Sequence, residues 1–258
     1  MTDSRIQVDV AAGIARLDWS DSPDPGARQA ELTALADQLL GSGIRRIEIE
    51  RPVDDFGGRR AVLRSGFRVE GRRRSVAAQG GGTFGDLVLY ARLATDEVGG
   101  PNGFSGVMNS ALPRKRLIAH VLVRDVEGRI LLCETQFKPD WELPGGIVEA
   151  GEPPRLGALR EVQEELGIEL GLGRLMIIDW MPPYLGWEDA LELIYDGGLI
   201  DETDLASLVL QPAEIRQVRL VTLQQAADLV TPLSWRRLVV ACSLADTDSA
   251  YLEDGNRP

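Results

Sequence analysis

The chain has one histidine, His120, and two cysteines, Cys133 and Cys242. Two thiols so far apart, each within an apolar stretch, do not make a disulfide framework, so buried free thiols are expected. The lone histidine sits in the apolar run LIAHVLV and reads as a satisfied core side chain with no catalytic role. No apolar run approaches membrane-spanning length, and the polar start MTDSRIQVDV has no leader-like apolar core, so a reducing cytoplasm and no membrane partner are the expectation. Positive charge is also short. A net charge of −12 argues against general binding to nucleic acid. There is no internal repeat and no extended low-complexity segment.

What the chain does have is a well-punctuated acidic stretch, Gly145 to Ile168. Gly145 and Gly146 allow close backbone approach. Pro153 and Pro154 suit a helix start and Gly167 suits its stop, which predicts a helix over about 153–166. On that helix Leu156, Leu159, Val162 and Leu166 should share one side, with Glu161, Glu164 and Glu165 opposite. Clustered carboxylates repel one another and suit a hard cation such as Mg²⁺ or Mn²⁺, which in turn binds substrate phosphates. Three glutamates alone read more simply as the solvated acidic face of an amphipathic helix.

The full spacing carries more. Gly146, five residues, Glu152, seven residues, then Arg160, Glu161, Glu164, Glu165, Gly167 and Ile168 match the Nudix box, and the region resembles the Nudix hydrolase family. That resemblance implies an α/β/α sandwich around a mixed sheet over about 113–245, and Mg²⁺-dependent hydrolysis of a diphosphate linkage in a nucleoside diphosphate derivative, with Mn²⁺ as the other candidate ion. It implies metal ligation by Glu161, Glu164, Glu165 and the carbonyl of Gly145. Glu152, Gly146 and Arg160 support the loop and orient the acids, and Glu161 or Glu164 activates water. Glu188, Asp189, Glu192, Asp196 and Glu214 are candidates for a base outside the box, and Gln217 stands where relatives often carry a further glutamate. Lys138, Trp141 and Tyr184 are candidate substrate contacts. Trp180 and Trp187 are further candidates for stacking on a base, and Pro183 and Tyr184 point to different substrate classes.

A length of 258 residues favours two domains. Residues 1–95 read as strand pair, a break at SDSPDPG, helix, strand, short helix and two strands. The order around RRAVLRSGFRVEG is similar to the C-terminal half of GCN5-related N-acetyltransferases. The place of that family's pyrophosphate-binding glycine loop reads DPGARQAEL, so a degenerate domain used for dimerisation or support is expected, consistent with a homodimer. Arg59, Arg60, Arg64, Arg68, Arg72, Arg73 and Arg74 either attract an anion or pair with the excess carboxylates. Residues 96–112 read as a flexible linker and 246–258 as a tail. The alternatives to a hydrolase are a ligand-sensing module and an acetyltransferase with an accessory Nudix domain.

Overall fold

A computed structural model describes residues 5–18 and 25–258, and the chain divides into two compact units, 1–113 and 114–258. In the first unit, β1 (Arg5–Asp9) and β2 (Ile14–Asp18) form an antiparallel hairpin closed at Gly13, which takes a φ of +64°. Then come α1 (Pro25–Gly41), β3 (Arg46–Pro52), α2 (Phe56–Arg64), β4 (Arg68–Gly80) and β5 (Thr83–Leu93), in the sheet order β1-β2-β3-β5-β4. Alternation builds β3: Ile47, Ile49 and Arg51 are buried, and Arg46, Glu48 and Glu50 take the other face. Ile47 and Ile49 pack with Leu32, Ala36, Val62, Phe67 and Tyr90.

These elements occupy the predicted places, apart from the break at SDSPDPG, which lies largely outside the described residues. Part of the arginine cluster pairs with nearby carboxylates: Arg68 with Asp96 at 3.2 Å, Arg72 with Asp86 at 2.6 Å, and Arg73 with Glu50 at 2.6 Å. Arg59 instead donates to the Tyr90 hydroxyl at 2.8 Å and to the Val53 carbonyl at 2.7 Å.

The stretch expected to be a flexible linker contains a helix, α3 (Gly100–Ala111). Pro101 fits its first turn, Gly103 is buried where a Cβ would lie 2.7 Å from the Val98 carbonyl carbon, and the Ser110 hydroxyl accepts the Val69 amide at 2.9 Å. Glycine, asparagine and serine mark a poor intrinsic helix, and packing against β4 overrides that weak preference.

In the second unit β6 (Arg116–Arg124) and β7 (Ile130–Thr135) turn through Asp125–Gly128. They pair only at Arg124↔Ile130 and then diverge, so that β8 (Trp141–Glu142) pairs with β7 and β9 (Gly145–Ile147) with β6. The chain continues through α4 (Pro154–Leu166), β10 (Leu175–Met181), β11 (Ala190–Leu199), α5 (Glu202–Ser207), β12 (Ile215–Val221), α6 (Leu223–Ala226), α7 (Pro232–Ser243) and β13 (Ala250–Glu253). The sheet order is β12-β7-β6-β11-β10-β13, with β6/β11 and β10/β13 parallel and the other pairs antiparallel.

Strand period decides the two faces. Ala119, Val121, Val123, Leu131 and Cys133 pack under Ala158, Val162 and Leu166 of α4. Leu122, Ile130, Leu132 and Ile194 pack under Leu238 and Ala241 of α7. This is the mixed-sheet α/β/α sandwich that was expected. The segment read as a tail is not one, because β13 extends the sheet and buries Ala250 and Leu252. Among the described residues, no helix is long and apolar enough to cross a membrane.

Candidate active site

Helix α4 begins where Pro154 stands at its first position and ends at Gly167, which adopts a left-handed φ of +68°. Its faces differ from the predicted ones. Leu156 is 55% exposed, whereas Glu165 is 6% exposed. The reason is angular: Glu165 lies about 40° beyond Glu161 around the helix and within the arc that carries Ala158 and Val162, while Glu164 lies outside it. The three acids therefore form a gradient, with Glu165 buried, the Glu161 side chain at 16% exposure and that of Glu164 at 54%.

The glycine pair fits between this helix and β6. Gly145 has a φ of +130°, and a Cβ there would lie 2.3 Å from the Ala119 carbonyl oxygen, so no other residue is accommodated. Its amide donates to Glu165 Oε2 at 2.9 Å. A Cβ at Gly146 would sit 3.0 Å from the Glu161 carboxylate, so the missing side chain is what lets that acid lie against β9.

Arg160 ties the arrangement together. It donates to both Glu152 oxygens at 3.0 and 3.2 Å and to the Ile147 carbonyl at 3.2 Å, and it pairs with Glu161 at 3.0 Å and Glu164 at 2.9 Å. Glu152 also accepts the Glu149 amide at 3.0 Å, which closes the loop before the helix. The Arg160 hydrogen bond holds the Glu152 carboxyl below its ordinary range. Burial has the opposite effect on the other two acids. It raises Glu161 despite the adjacent Arg160, and it pushes Glu165 up to about 7.

Among the described residues, no group of His, Cys, Asp or Glu side chains converges closely enough to chelate an ion as it stands, since Arg160 holds Glu161 and Glu164. The donor set nevertheless fits a hard divalent cation. It consists of carboxylate oxygens, two of them raised in pKa by burial, and one rests in a cradle that a Cβ would fill.

The other predicted residues separate. Lys138 hydrogen-bonds Glu142, and both line a cavity of about 580 Å³ on the α7 side of the sheet. Tyr184, 71% exposed, lines the same cavity and pairs backbone to backbone with Trp187. Trp141 is not a stacking surface: it is 7% exposed within the core, its amide donates to the Leu229 carbonyl at 2.9 Å, and the Arg219 guanidinium lies 5.2 Å from its ring. Trp180 donates to Asp189 at 3.1 Å, and Trp187 carries Arg116 4.3 Å over its ring. Of the acids considered as bases outside the box, Asp189 pairs with Lys115 and Asp196 accepts the Gly198 amide at 3.1 Å. Arg116 donates to the Glu188 carbonyl at 2.9 Å, and the Glu214 charge contributes to raising Glu161. Gln217 donates to Glu134 at 2.5 Å, and the two are paired across β12 and β7.

Glu192 belongs to a network the sequence did not reveal. One of its oxygens lies 2.9 Å from His120 Nδ1 and the other accepts from Arg237 at 2.7 Å, while Arg237 Nε donates to Asp179 at 2.5 Å and Asp179 accepts the Gly255 amide at 3.0 Å. All four side chains are buried. His120 and Arg237 overcome the burial penalty on Glu192 and lower its carboxyl to about 2. The signal available in the sequence was an acid two positions from, and so in phase with, an α7-side apolar residue: Glu192 with Ile194 on β11, and Asp179 with Ile177 on β10.

Residues 114–240 match the NUDIX domain profile. A MutT-like protein of Streptomyces ambofaciens is 43% identical over 58 residues, covering 22% of this chain and 37% of that protein. The CMP-5'-(N-acetyl-N-hydroxy-3-aminopropyl)phosphonate hydrolase of Streptomyces rubellomurinus is 34% identical over 116 residues, covering 43% and 54%. The crystal structure of a MutT protein from Methanosarcina mazei Go1 aligns with a TM-score of 0.41 at 24% identity, over 48% of this chain and 91% of that one. The chain spans about half the length, or less, of the curated relatives it matches. Box spacing, sandwich topology and profile agree: residues 114–240 are a NUDIX domain.

Proposed function

We propose that the second unit is a divalent-metal-dependent pyrophosphohydrolase that cleaves a diphosphate linkage in a nucleoside diphosphate derivative. The observation that carries this reading is the braced acidic helix, in which Arg160 and Glu152 lock the loop while Glu161 and Glu165 are held with raised proton affinity beside the glycine pair. One of the curated relatives above is named as a hydrolase of a CMP conjugate, which supports the reading.

Glu161, Glu164 and Glu165 would hold Mg²⁺ or Mn²⁺, with the Gly145 carbonyl as a further ligand. The ion, when bound, neutralises charge developing on the phosphate oxygens and lowers the pKa of bound water. Arg160 orients Glu161 and Glu164 and restrains the loop through Glu152 and the Ile147 carbonyl. The Gly145 amide fixes the Glu165 carboxylate. Glu161, raised by burial, is better suited than an exposed acid to accept the proton of the attacking water near neutral pH.

To the first unit we assign a supporting or dimerising role without acetyl-CoA binding, because DPGARQAEL supplies only Gly26 where a pyrophosphate loop would be needed. Calorimetry on the full chain should show no micromolar acetyl-CoA affinity. For the second unit the test is a screen of nucleotide sugars, ADP-ribose, dinucleoside polyphosphates and oxidised nucleoside triphosphates with Mg²⁺ or Mn²⁺. Release of a nucleoside monophosphate supports the reading, and no cleavage of any of these diphosphates defeats it.

A further inference from the structure

The two edges of the first sheet differ. β4 is blunted in ways that keep an edge from pairing: α3 packs on it, the Ser110 hydroxyl takes the Val69 amide, and its register against β5 shifts three times. β1, at the other end, has none of these. It pairs with β2 over all five residues without a register shift, and among the described residues no element pairs with its outer side. Its outward N–H and C=O groups are a template for one more strand.

One face of β1 is uncovered as well. Ile6 stands opposite Leu17 and Val8 opposite Ala15, so both lie on the face that packs with Leu32 and Ala36 of α1. Ala15 and Leu17 are 0% and 4% exposed, whereas Ile6 and Val8 are 41% and 45% exposed. The apolar layer therefore runs one strand past the helix that covers it.

The strand's own sequence selects the occupant. RIQVD is self-complementary when read antiparallel about Gln7: the arginine of position 5 comes opposite Asp9 of a second copy, Ile6 opposite Val8, and Gln7 opposite Gln7. Of the registers that keep apolar opposite apolar, this one alone pairs all five residues, and it sets unlike charges at both ends. A second copy meets this pattern by symmetry.

We propose that β1 pairs antiparallel with β1 of a second copy about a two-fold axis at Gln7. The two five-stranded sheets become one, and Ile6 and Val8 of both copies form a single apolar strip. The inference rests on the dimerising role assigned to the first unit, to which it gives a surface, and is independent of the hydrolase reading. Five residue pairs make a small interface, so the dimer should be weak and concentration-dependent.

Sedimentation velocity on the full chain across a dilution series should show a reversible monomer–dimer equilibrium. Val8→Lys puts a charge from each copy into the apolar strip and should abolish the dimer. Val8 is exposed, so the fold should survive, which far-UV circular dichroism checks. Asp9→Arg sets like charges opposite each other at both ends, because the two-fold repeats every substitution, and should weaken association ~10-fold. It also removes the hydrogen bond that Asp9 accepts from the Ala12 amide. Adding Arg5→Asp cannot replace that bond but restores the unlike pair, so recovery of the dimer in the double variant assigns the loss to the interface. Gln7→Cys should cross-link on mild oxidation, since directly opposed residues lie about 4.5–5.5 Å apart at Cα, while the wild type with Cys133 and Cys242 should not. A monomer at every concentration removes both the dimerising role and this surface. A dimer indifferent to Val8→Lys, no recovery in the double variant, or no cross-link at position 7 each removes the surface and leaves the role standing.

Discussion

The two faces of the second sheet each carry an acidic cluster, and the clusters are compensated in opposite ways. On the α7 side Asp179 and Glu192 share Arg237 and His120, every carboxylate is met, and the Glu192 carboxyl falls to about 2. On the α4 side one arginine serves Glu152, Glu161 and Glu164, and Glu165 relies on the Gly145 amide, so burial prevails and its carboxyl rises to about 7. The first cluster is neutralised from within the fold. The second is left without a cation of its own beyond Arg160, which is why we propose that it takes one from outside. Acidity alone does not distinguish a metal site from a structural network; what differs between these two clusters is how much internal cation each has.

The comparison predicts its largest effect where compensation is complete. Arg237→Met strips the partner from two buried carboxylates, and urea denaturation should show a loss of ~3–5 kcal/mol. A loss below ~1 kcal/mol, the size expected of exposed pairs, would mean that the network is not buried in solution. On the other face the effect should be catalytic. Glu164 is half exposed and contributes little to the core, so Glu164→Gln should fold normally yet lower turnover ~10²-fold, as when one preorganised electrostatic group is lost. Unchanged turnover would sink the metal assignment.

Titration sharpens the contrast, because the two shifts act in opposite windows. Glu165 binds its proton more tightly folded, about 7 against an ordinary 4.5, so its contribution to stability is full below 4.5 and is lost as pH rises towards 7. Glu192 binds its proton less tightly folded, so its contribution is present above 4.5 and is lost as pH falls towards 2. Metal-free protein should therefore lose stability on both sides of pH 4.5, by at most ~1.4 kcal/mol per pH unit for each group. Glu165→Gln should flatten the alkaline limb and leave the acid limb. Urea midpoints measured across this range would show whether the alkaline limb persists in the variant, in which case the burial of Glu165 is not its source.

Much of the α4 site could be read from the chain because it is local. Gly145, Glu152, Arg160 and the glutamates lie within about two dozen residues, and helix geometry relates most of them. The error was in the angle, since Leu156 was given a core place that belongs to Ala158 and Glu165. The α7 network was not legible because its bonds join residues 45, 58 and 72 positions apart, and only the sheet register together with the packing of α7 on the sheet brings them together. Helix α3 was missed for a related reason: its sequence is weak as a helix, and β4 supplies what propensity does not.

The smallest effect tests the position where the chain departs from the family pattern. Gln217 and Glu134 face each other across β12 and β7, and the amide donates to the carboxylate, which with Arg216 at 2.7 Å holds Glu134 below its ordinary pKa. Gln217→Glu would place two carboxylates in direct cross-strand contact, with Arg216 left to serve both. Like charges paired in this way cost ~0.2–1 kcal/mol on an exposed strand. If residue 217 has no part in holding a cation, that small loss should be the same with and without Mg²⁺, and turnover should not change. If the added carboxylate becomes a ligand, Mg²⁺ should recover the loss and raise the melting temperature of the variant above that of the wild type. In that case the α4 cluster extends onto β12, and the boundary between the self-compensated and cation-requiring regions lies one strand further out than the carboxylates of α4 place it.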